Sequence, residues 1–377
     1  MKNILIITGE PSGDLHGGKL VQALLNKDKG LKIFAVGGEA IQAAGGHLIY
    51  DNESLGVVGL FEVIRHLKEI KKAFKAVDAL LETGSIHHLI LVDYPDFNLR
   101  VARRAKKMGI PISYYISPQI WAWRYKRIHL IKKLIDRMFV ILPFEEAIYQ
   151  KEKVPVEFVG HPLIEEIAPS YSKEALSKKF GLNGMKPIIG VCPGSRKSEL
   201  TRLLPVMLEA AMKIKKELPE AQFILPVAPT FTGEDISTRL GSFSREVLAI
   251  KGDSSEVMAV CDILMVASGT ATLQAAMLGV PMVIVYRVSP LTYWIGKLLL
   301  KIEMIGLVNI ISGVKMIPEL IQDEATPENI ASTVLGILNN QEKMKEIKRQ
   351  LLLVKEKLTD RKASERTAEA ILKMVYP

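Results

Sequence analysis

The sequence predicts an α/β protein of two doubly wound, Rossmann-like parallel-sheet domains facing each other across a cleft, followed by a helical C-terminal tail. Two strand-to-loop-to-helix units carry that expectation: residues 3–19 (NILIITGEPSGDLHGGK) and 187–200 (PIIGVCPGSRKSEL), about 180 residues apart. Each runs apolar, breaks into Gly, Pro and Ser, and resumes with helical spacing, which is the opening turn of a parallel-sheet domain. A third loop of this kind, 267–276 (ASGTATLQAA), adds another helix start suited to an anion. Length agrees, because 377 residues with 48% hydrophobic content are enough for two or three cores.

Taken in order, apolar runs ending in turn residues give strands at Ile4–Thr8, Ile33–Gly37, Leu89–Val92, Ile112–Ile116 and Met138–Leu142, with helical stretches between them. The string FVGHP (158–162) reads as the crossing into a second series, at Ile188–Cys192, Phe223–Leu225, Ile263–Val266 and Met282–Tyr286. From Thr326 onward the pattern is helical only, and Met344–Leu358 is amphipathic. The expected division is therefore 1–165, 166–345 and a tail 346–377 of helices that either packs back on the first domain or is exchanged in a dimer.

The N-terminal apolar stretch Ile4–Ile7 is too short for a secretory signal, so the chain is expected in the cytoplasm. Cys192 and Cys261 abut apolar runs and read as buried small hydrophobes. No Cys/His cluster has ligand spacing, so neither a metal nor a cofactor is expected. No run of about 18 uncharged apolar residues is present to span a membrane.

The net charge of +9 is concentrated: Arg100–Arg137 holds eleven Lys or Arg against one acid, Asp136, and carries +10, leaving −1 for the remainder. Its second half sets Trp121, Trp123 and Tyr125 among Arg124, Lys126, Arg127, Lys132 and Lys133, a combination suited to a headgroup interface or a phosphate-bearing ligand. A solvated helix face is the plain alternative. Nucleic acid is disfavoured, because zinc-finger, KH and RRM signatures are absent. The stripes at Leu55–Phe74 and Leu291–Ile305 read first as core faces and gain a lipid role only with a lipid substrate.

In GEPSGD (9–14) the glycines allow a tight turn, while Ser12 and the following backbone N–H groups can receive a phosphate or sugar oxygen. In PGSR (193–196) Arg196 stands at a helix start, where its charge adds to the dipole in stabilising a diphosphate leaving group. Ser268-Gly269-Thr270 repeats that arrangement after Ile263–Val266. An ordinary βα turn with an exposed Arg is the alternative reading of PGSR. For proton transfer, DYPDFN (93–98) lies just beyond the carboxyl end of Leu89–Val92, where open α/β sheets bind ligands. A carboxylate there can take a proton from an attacking hydroxyl. Asp96 and Asp93 both stay open for that role, since Asp93 can cap a turn and Asn98 can start the helix. His16 and the pair His87 and His88 also titrate, and the pair reads as exposed polar surface.

GEPSGD, DYPDFN, SPQIWAWR (117–124), LPFE (142–145), FVGHP, PGSR and ASGTATLQAA, in this order over nearly the full chain, resemble the lipid-A-disaccharide synthase family. The resemblance implies a GT-B glycosyltransferase that joins UDP-2,3-diacylglucosamine to 2,3-diacylglucosamine 1-phosphate (lipid X). The products are a β-1,6-linked disaccharide 1-phosphate and UDP, formed with inversion and without a metal. It further implies peripheral association with the cytoplasmic face of the anionic inner membrane, and a homodimer with exchanged C-terminal portions. Residue by residue, it implies Asp96 as base, Glu10 and Ser12 near the sugars, and Arg196 with Ser268, Gly269 and Thr270 at the UDP phosphates. Asn309 and Gln322 are further pocket residues by the same resemblance. One position departs. Where the family places a Glu after the SGT turn to hold the ribose, this chain has Gln274, whose amide accepts from a hydroxyl without charge assistance.

With such an acceptor, the segment bearing Trp121, Trp123, Arg124, Lys126, Arg127 and Lys133 suits its phosphate, its acyl chains and the membrane that delivers it. Two other classes compete. A UDP-sugar epimerase would use the same nucleotide half without needing this segment. A non-enzymatic module binding membrane or nucleic acid would leave the three loops without a task.

Overall fold

The structure is a computed structural model that describes residues 2–52, 63–122, 124–168, 170–289, 304–358 and 362–376, with residues 63–67 as backbone alone. It divides into two compact units, Met1–Glu165 with Leu358–Pro377, and Glu166–Lys357.

The first unit alternates β1 (Lys2–Ile7), α1 (Pro11–Lys27), β2 (Leu31–Gly37), α2 (Glu39–Ala43), β3 (His47–Asp51), α3 (Val63–Glu82), β4 (His88–Val92), α4 (Pro95–Lys107), β5 (Ile112–Tyr115), α5 (Ile128–Leu134), β6 (Arg137–Val140), α6 (Pro143–Lys151) and β7 (Val156–Phe158). The strands form one parallel sheet in the order β3-β2-β1-β4-β5-β6-β7. Every residue of β4 and β5 is buried, as expected of strands covered by helices on both faces. The order reverses between β1 and β4, with Ile7 opposite Leu91. The loops leaving those two strands therefore emerge side by side at the carboxyl edge, where such sheets bind ligands. Asp14 braces this edge. Its buried carboxylate accepts from the Gly38 and Ala40 amides at 2.6 and 2.9 Å, tying α1 to the start of α2.

The second unit runs α7 (Lys173–Phe180), β8 (Ile188–Cys192), α8 (Lys197–Glu217), β9 (Gln222–Val227), α9 (Gly233–Leu240), β10 (Val247–Lys251), α10 (Ser254–Ala259), β11 (Ile263–Ala267), α11 (Thr270–Leu278), β12 (Met282–Tyr286), α12 (Leu307–Ser312), β13 (Glu319–Ile321), α13 (Pro327–Leu338) and α14 (Gln341–Lys357). Its parallel sheet has the order β10-β9-β8-β11-β12-β13 and reverses between β8 and β11, where Cys192 lies opposite Val266. Both cysteines are buried.

The expected tail 346–377 is divided between the units. Most of it up to Lys357 is α14 of the second unit, whereas α15 (Ala363–Val375) belongs to the first. Ala363, Ala368, Ile371 and Val375 of α15 join the core that holds Ile4, Leu20 and Leu24 of β1 and α1. Glu165 fastens its start, accepting from Ser364 N at 2.8 Å and Ser364 Oγ at 2.7 Å. Of the two apolar stripes, Ile70, Ala73 and Phe74 pack into the first unit's core. Residues 53–62 and 290–303 lie outside the described residues. Among the described residues no helix is long and apolar enough to cross a membrane.

Candidate active site

In the first unit GEPSGD leaves β1 and DYPDFN leaves β4, so the topology brings them together at the reversal. They also meet through side chains. A Cβ on Gly9 would stand 2.1 Å from ring atoms of Tyr94, which means that the ring lies directly on the glycine. Asp93 and Tyr94 both have φ of 45°, a left-handed conformation that non-glycine residues adopt at a cost. The turn is held there from behind: the Asp93 carbonyl accepts from Tyr114 Oη at 2.5 Å and from Asn98 Nδ2 at 2.7 Å. Asn98 lies inside α4, with its side chain binding the strand end. Burial first, and the charge of Glu10 second, push the Asp93 carboxyl up to about 6. Glu10 and Ser12 are exposed at the start of α1.

Asp96, on the first turn of α4, is exposed, and its Oδ1 pairs with Arg127 Nη2 at 2.5 Å and with Arg124 Nη1 at 3.6 Å. A cavity of about 240 Å³ opens beside it, lined by Asp93, Ser117, Gln119, Arg124, Arg127 and Glu145, with Pro95, Ile116 and Leu142 among its apolar walls. Sequence reasoning missed Glu145. The string LPFE signals only a helix start with Glu at the third position, and the structure indeed has that carboxylate accepting from Leu142 N. What the string does not reveal is that the side chain is 1% exposed and faces a cavity.

In the second unit PGSR leaves β8 and SGT leaves β11, again the two strands at the reversal. Gly194 (φ 104°) and Gly269 (φ 151°) occupy conformations that favour glycine, so both loops need that residue. Arg196 is 79% exposed and reaches Glu199 at 3.2 Å. The Glu199 carboxylate also accepts from the amides of Ser195 and Arg196, at 3.1 and 3.2 Å. Thr270 is exposed at the first turn of α11, and Ser268 Oγ donates to the Ile305 carbonyl at 2.9 Å. Among the described residues no three His, Cys, Asp or Glu side chains are grouped to hold a metal ion.

A family model described as Lipid-A-disaccharide synthetase matches residues 4–375. A curated lipid-A-disaccharide synthase of Geobacter metallireducens is 45% identical over 374 residues, covering 99% of this chain and 97% of that protein. The chain belongs to the lipid-A-disaccharide synthase family. Solved structures share the fold at low identity. The UDP-GlcNAc 2-epimerase of Neisseria meningitidis bound to UDP-GlcNAc has TM-score 0.66 at 13% identity, covering 99% of this chain and all (100%) of that one. A ugt transferase from Siraitia grosvenorii in complex with UDP has TM-score 0.61 at 11% identity, with 100% of both chains covered. The fold is GT-B, and the activity of the family is glycosyl transfer that makes the lipid A disaccharide.

Several residues that the resemblance to this family singles out have structural tasks in this chain. Asn309 is fully buried; its Nδ2 donates to Ile317 O and Glu319 and its Oδ1 accepts from Ile317 N, so the side chain braces a loop instead of facing a pocket. The buried Glu319, unnoticed in the sequence, also accepts from the Ile305 and Gly306 amides, both at 3.0 Å. Gln322 grips the backbone of Val288, accepting at 2.7 Å and donating at 3.2 Å. Gln274 turns its amide nitrogen to Ser254 Oγ and Ser255 Oγ at 3.0 and 2.8 Å. Trp121 points inward, its indole N–H on Glu145 and its ring edge-on to Phe144. Arg127 is likewise largely covered, with 15% of its side chain exposed. Arg124, Lys126, Lys132 and Lys133 are exposed, and Trp123 lies outside the described residues. His88 is not surface: it is buried on β4 against Ser113 at 2.8 Å, and burial lowers it to about 4.

Burial pushes Glu145 from its ordinary 4.5 up to about 7, against the opposing pull of its hydrogen bonds to Ser117, Leu142 and Trp121. A carboxyl held protonated by the fold stabilises fully below its unfolded value, and that contribution is lost as pH rises through the folded one. Glu145→Gln is therefore expected to gain stability relative to the wild type between pH 5 and 8, by about 3 kcal/mol at most. Denaturant midpoints measured across that range check it; parallel pH profiles for the two proteins would refute it.

Proposed function

We propose that the chain joins UDP-2,3-diacylglucosamine to lipid X with inversion, the first unit taking the acceptor and the second the UDP-sugar. The observation that carries the reading is the pairing of loops at the two strand-order reversals, carboxylates in one unit and Arg196 with the SGT turn in the other. Asp96 takes the proton of the acceptor 6-hydroxyl as its oxygen bonds to the anomeric carbon. Arg127, through its ion pair, orients that carboxylate. Attack opposite the diphosphate breaks the bond to UDP, and Arg196 with the α8 and α11 starts meets the charge released. The cavity beside Asp96, with Arg124 and Arg127 on its walls, suits the phosphorylated sugar of the acceptor. Glu10 and Ser12 lie on the loop beside Asp93 and face the same sugars.

Incubation with both substrates, followed by mass spectrometry for the disaccharide phosphate and UDP, tests the reading. An epimerised donor formed without any acceptor would support a UDP-sugar epimerase instead. Arg196→Ala is expected to weaken UDP binding by about tenfold or more, the worth of a lost charge-assisted contact; calorimetry at wild-type affinity would remove Arg196 from the site. For the anionic membrane surface, the exposed lysines are the relevant charges. Reversing Lys126, Lys132 and Lys133 should strongly reduce sedimentation with anionic vesicles, since each contributes about 1 kcal/mol near such a surface. Unchanged sedimentation would make this segment a solvated face.

A further inference from the structure

The carboxyl of Glu145 is used in no step above, yet it organises one wall of the acceptor cavity. Its Oε1 accepts from Ser117 Oγ at 2.8 Å and from Trp121 Nε1 at 3.2 Å, and its Oε2 from Leu142 N at 3.3 Å. One side chain thus ties both ends of the Ser117–Trp121 segment to the start of α6. Trp121 is fixed further against Phe144, with ring centroids 5.0 Å apart at 88°. Ser117, Pro118, Gln119 and Ile120 of the tied segment line the cavity together with Asp93, Arg124 and Arg127.

The course of this segment is not the backbone's own preference. Ile116, which leads into it, has φ of 64°, a left-handed conformation in which a β-branched residue is strained. Such strain persists only where the surroundings impose it: Ile116 N donates to the Phe139 carbonyl at 3.0 Å, its side chain is buried in the core, and Glu145 holds the residue that follows. Among the described residues no Lys or Arg pairs with Glu145. Burying a carboxyl without a cation is a poor way to stabilise a fold, because an apolar side chain of similar volume does so at lower cost. A task in shaping the site accounts for the choice.

We propose that Glu145 is a positioning residue for the acceptor, holding the Ser117–Trp121 wall in the course that shapes the cavity for a phosphorylated sugar. This rests on the acceptor reading of the cavity given above. The test is disaccharide synthesis by the full chain with UDP-2,3-diacylglucosamine and lipid X varied separately, in Glu145→Ala, Glu145→Gln and Ser117→Ala. Alanine removes all three hydrogen bonds, whereas glutamine keeps an oxygen for Ser117 and Trp121 and gives up only the bond from Leu142 N. In Glu145→Ala the KM for lipid X should rise about tenfold with the donor KM within about twofold. Glutamine should restore most of the loss, and Ser117→Ala, which cuts one tie, should raise the acceptor KM about threefold. If alanine prevents folding, the glutamine and Ser117 variants carry the test. Acceptor and donor KM unchanged in all variants, or moving together as the thermal midpoint falls, would overturn the proposal. A wild type that makes no disaccharide would instead refute the functional reading on which it rests.

Discussion

Asp96→Asn is expected to fold, to bind UDP as the wild type does, and to lose at least about a hundredfold in turnover. An acceptor hydroxyl is a poor nucleophile at neutral pH, and a positioned carboxylate supplies roughly a hundred to ten thousand fold. Asparagine keeps the shape, and its oxygen can still accept from Arg127, so the ion-pair partner of Asp96 stays in place. The neighbouring carboxyl provides the contrast. Asp93→Asn should lose less, or lose stability, if Asp93 only shapes the turn. Because burial and Glu10 hold Asp93 near 6, a base at that position would give a rate that falls as pH drops below about 6. Folded Asp96→Asn within a few fold of wild type, under conditions where chemistry limits the rate, would send the search to Asp93, Glu10 or His16.

A comparable loss is expected at a residue with no side chain. An alanine methyl at position 9 would sit 2.1 Å from the Tyr94 ring, far inside contact distance. The ring cannot swing away alone, since it springs from a left-handed residue and leans on Phe97, with centroids 6.1 Å apart. The turn carrying Asp93 must move with it. Displacement of about 1 Å at a reacting group can lower the rate a hundredfold, so Gly9→Ala should fall by about that factor and lose about 1–3 kcal/mol of stability. Removing the ring as well, in Gly9→Ala with Tyr94→Ala, should recover part of both. Wild-type turnover in the single variant would show that this contact does not position the loop.

The inner strands were legible in the sequence and the outer ones were not, for a physical reason. The four strands without a predicted counterpart, β3, β7, β10 and β13, are the four edges of the two sheets. An edge strand is covered on fewer sides, so HLIYD, VEF, VLAIK and ELI need no continuous apolar run. Loops were legible where glycine and proline punctuate a strand end, as in GEPSGD, PGSR and SGT. Side-chain commitments were not, because they depend on partners far along the chain. Asp14 reaches Gly38, His88 reaches Ser113, and Glu145 reaches back to Ser117. None of these spacings has a local signature, and a buried acid looks like an exposed one in a string of letters.

The place of α15 bears on how the molecule is made. A ribosome delivers the whole sheet of the first unit early, but the strip of core supplied by Ala363, Ala368, Ile371 and Val375 comes only after residues 166–357 have been translated. At 5–20 residues per second that interval is roughly 10–40 s. Throughout it, the apolar face formed by Ile4, Leu20 and Leu24 lacks part of its cover. The second unit is contiguous in sequence, so only the first has to wait for a distant segment to complete its core. Chaperones that recognise bare apolar surface have their target in the half that left the ribosome first.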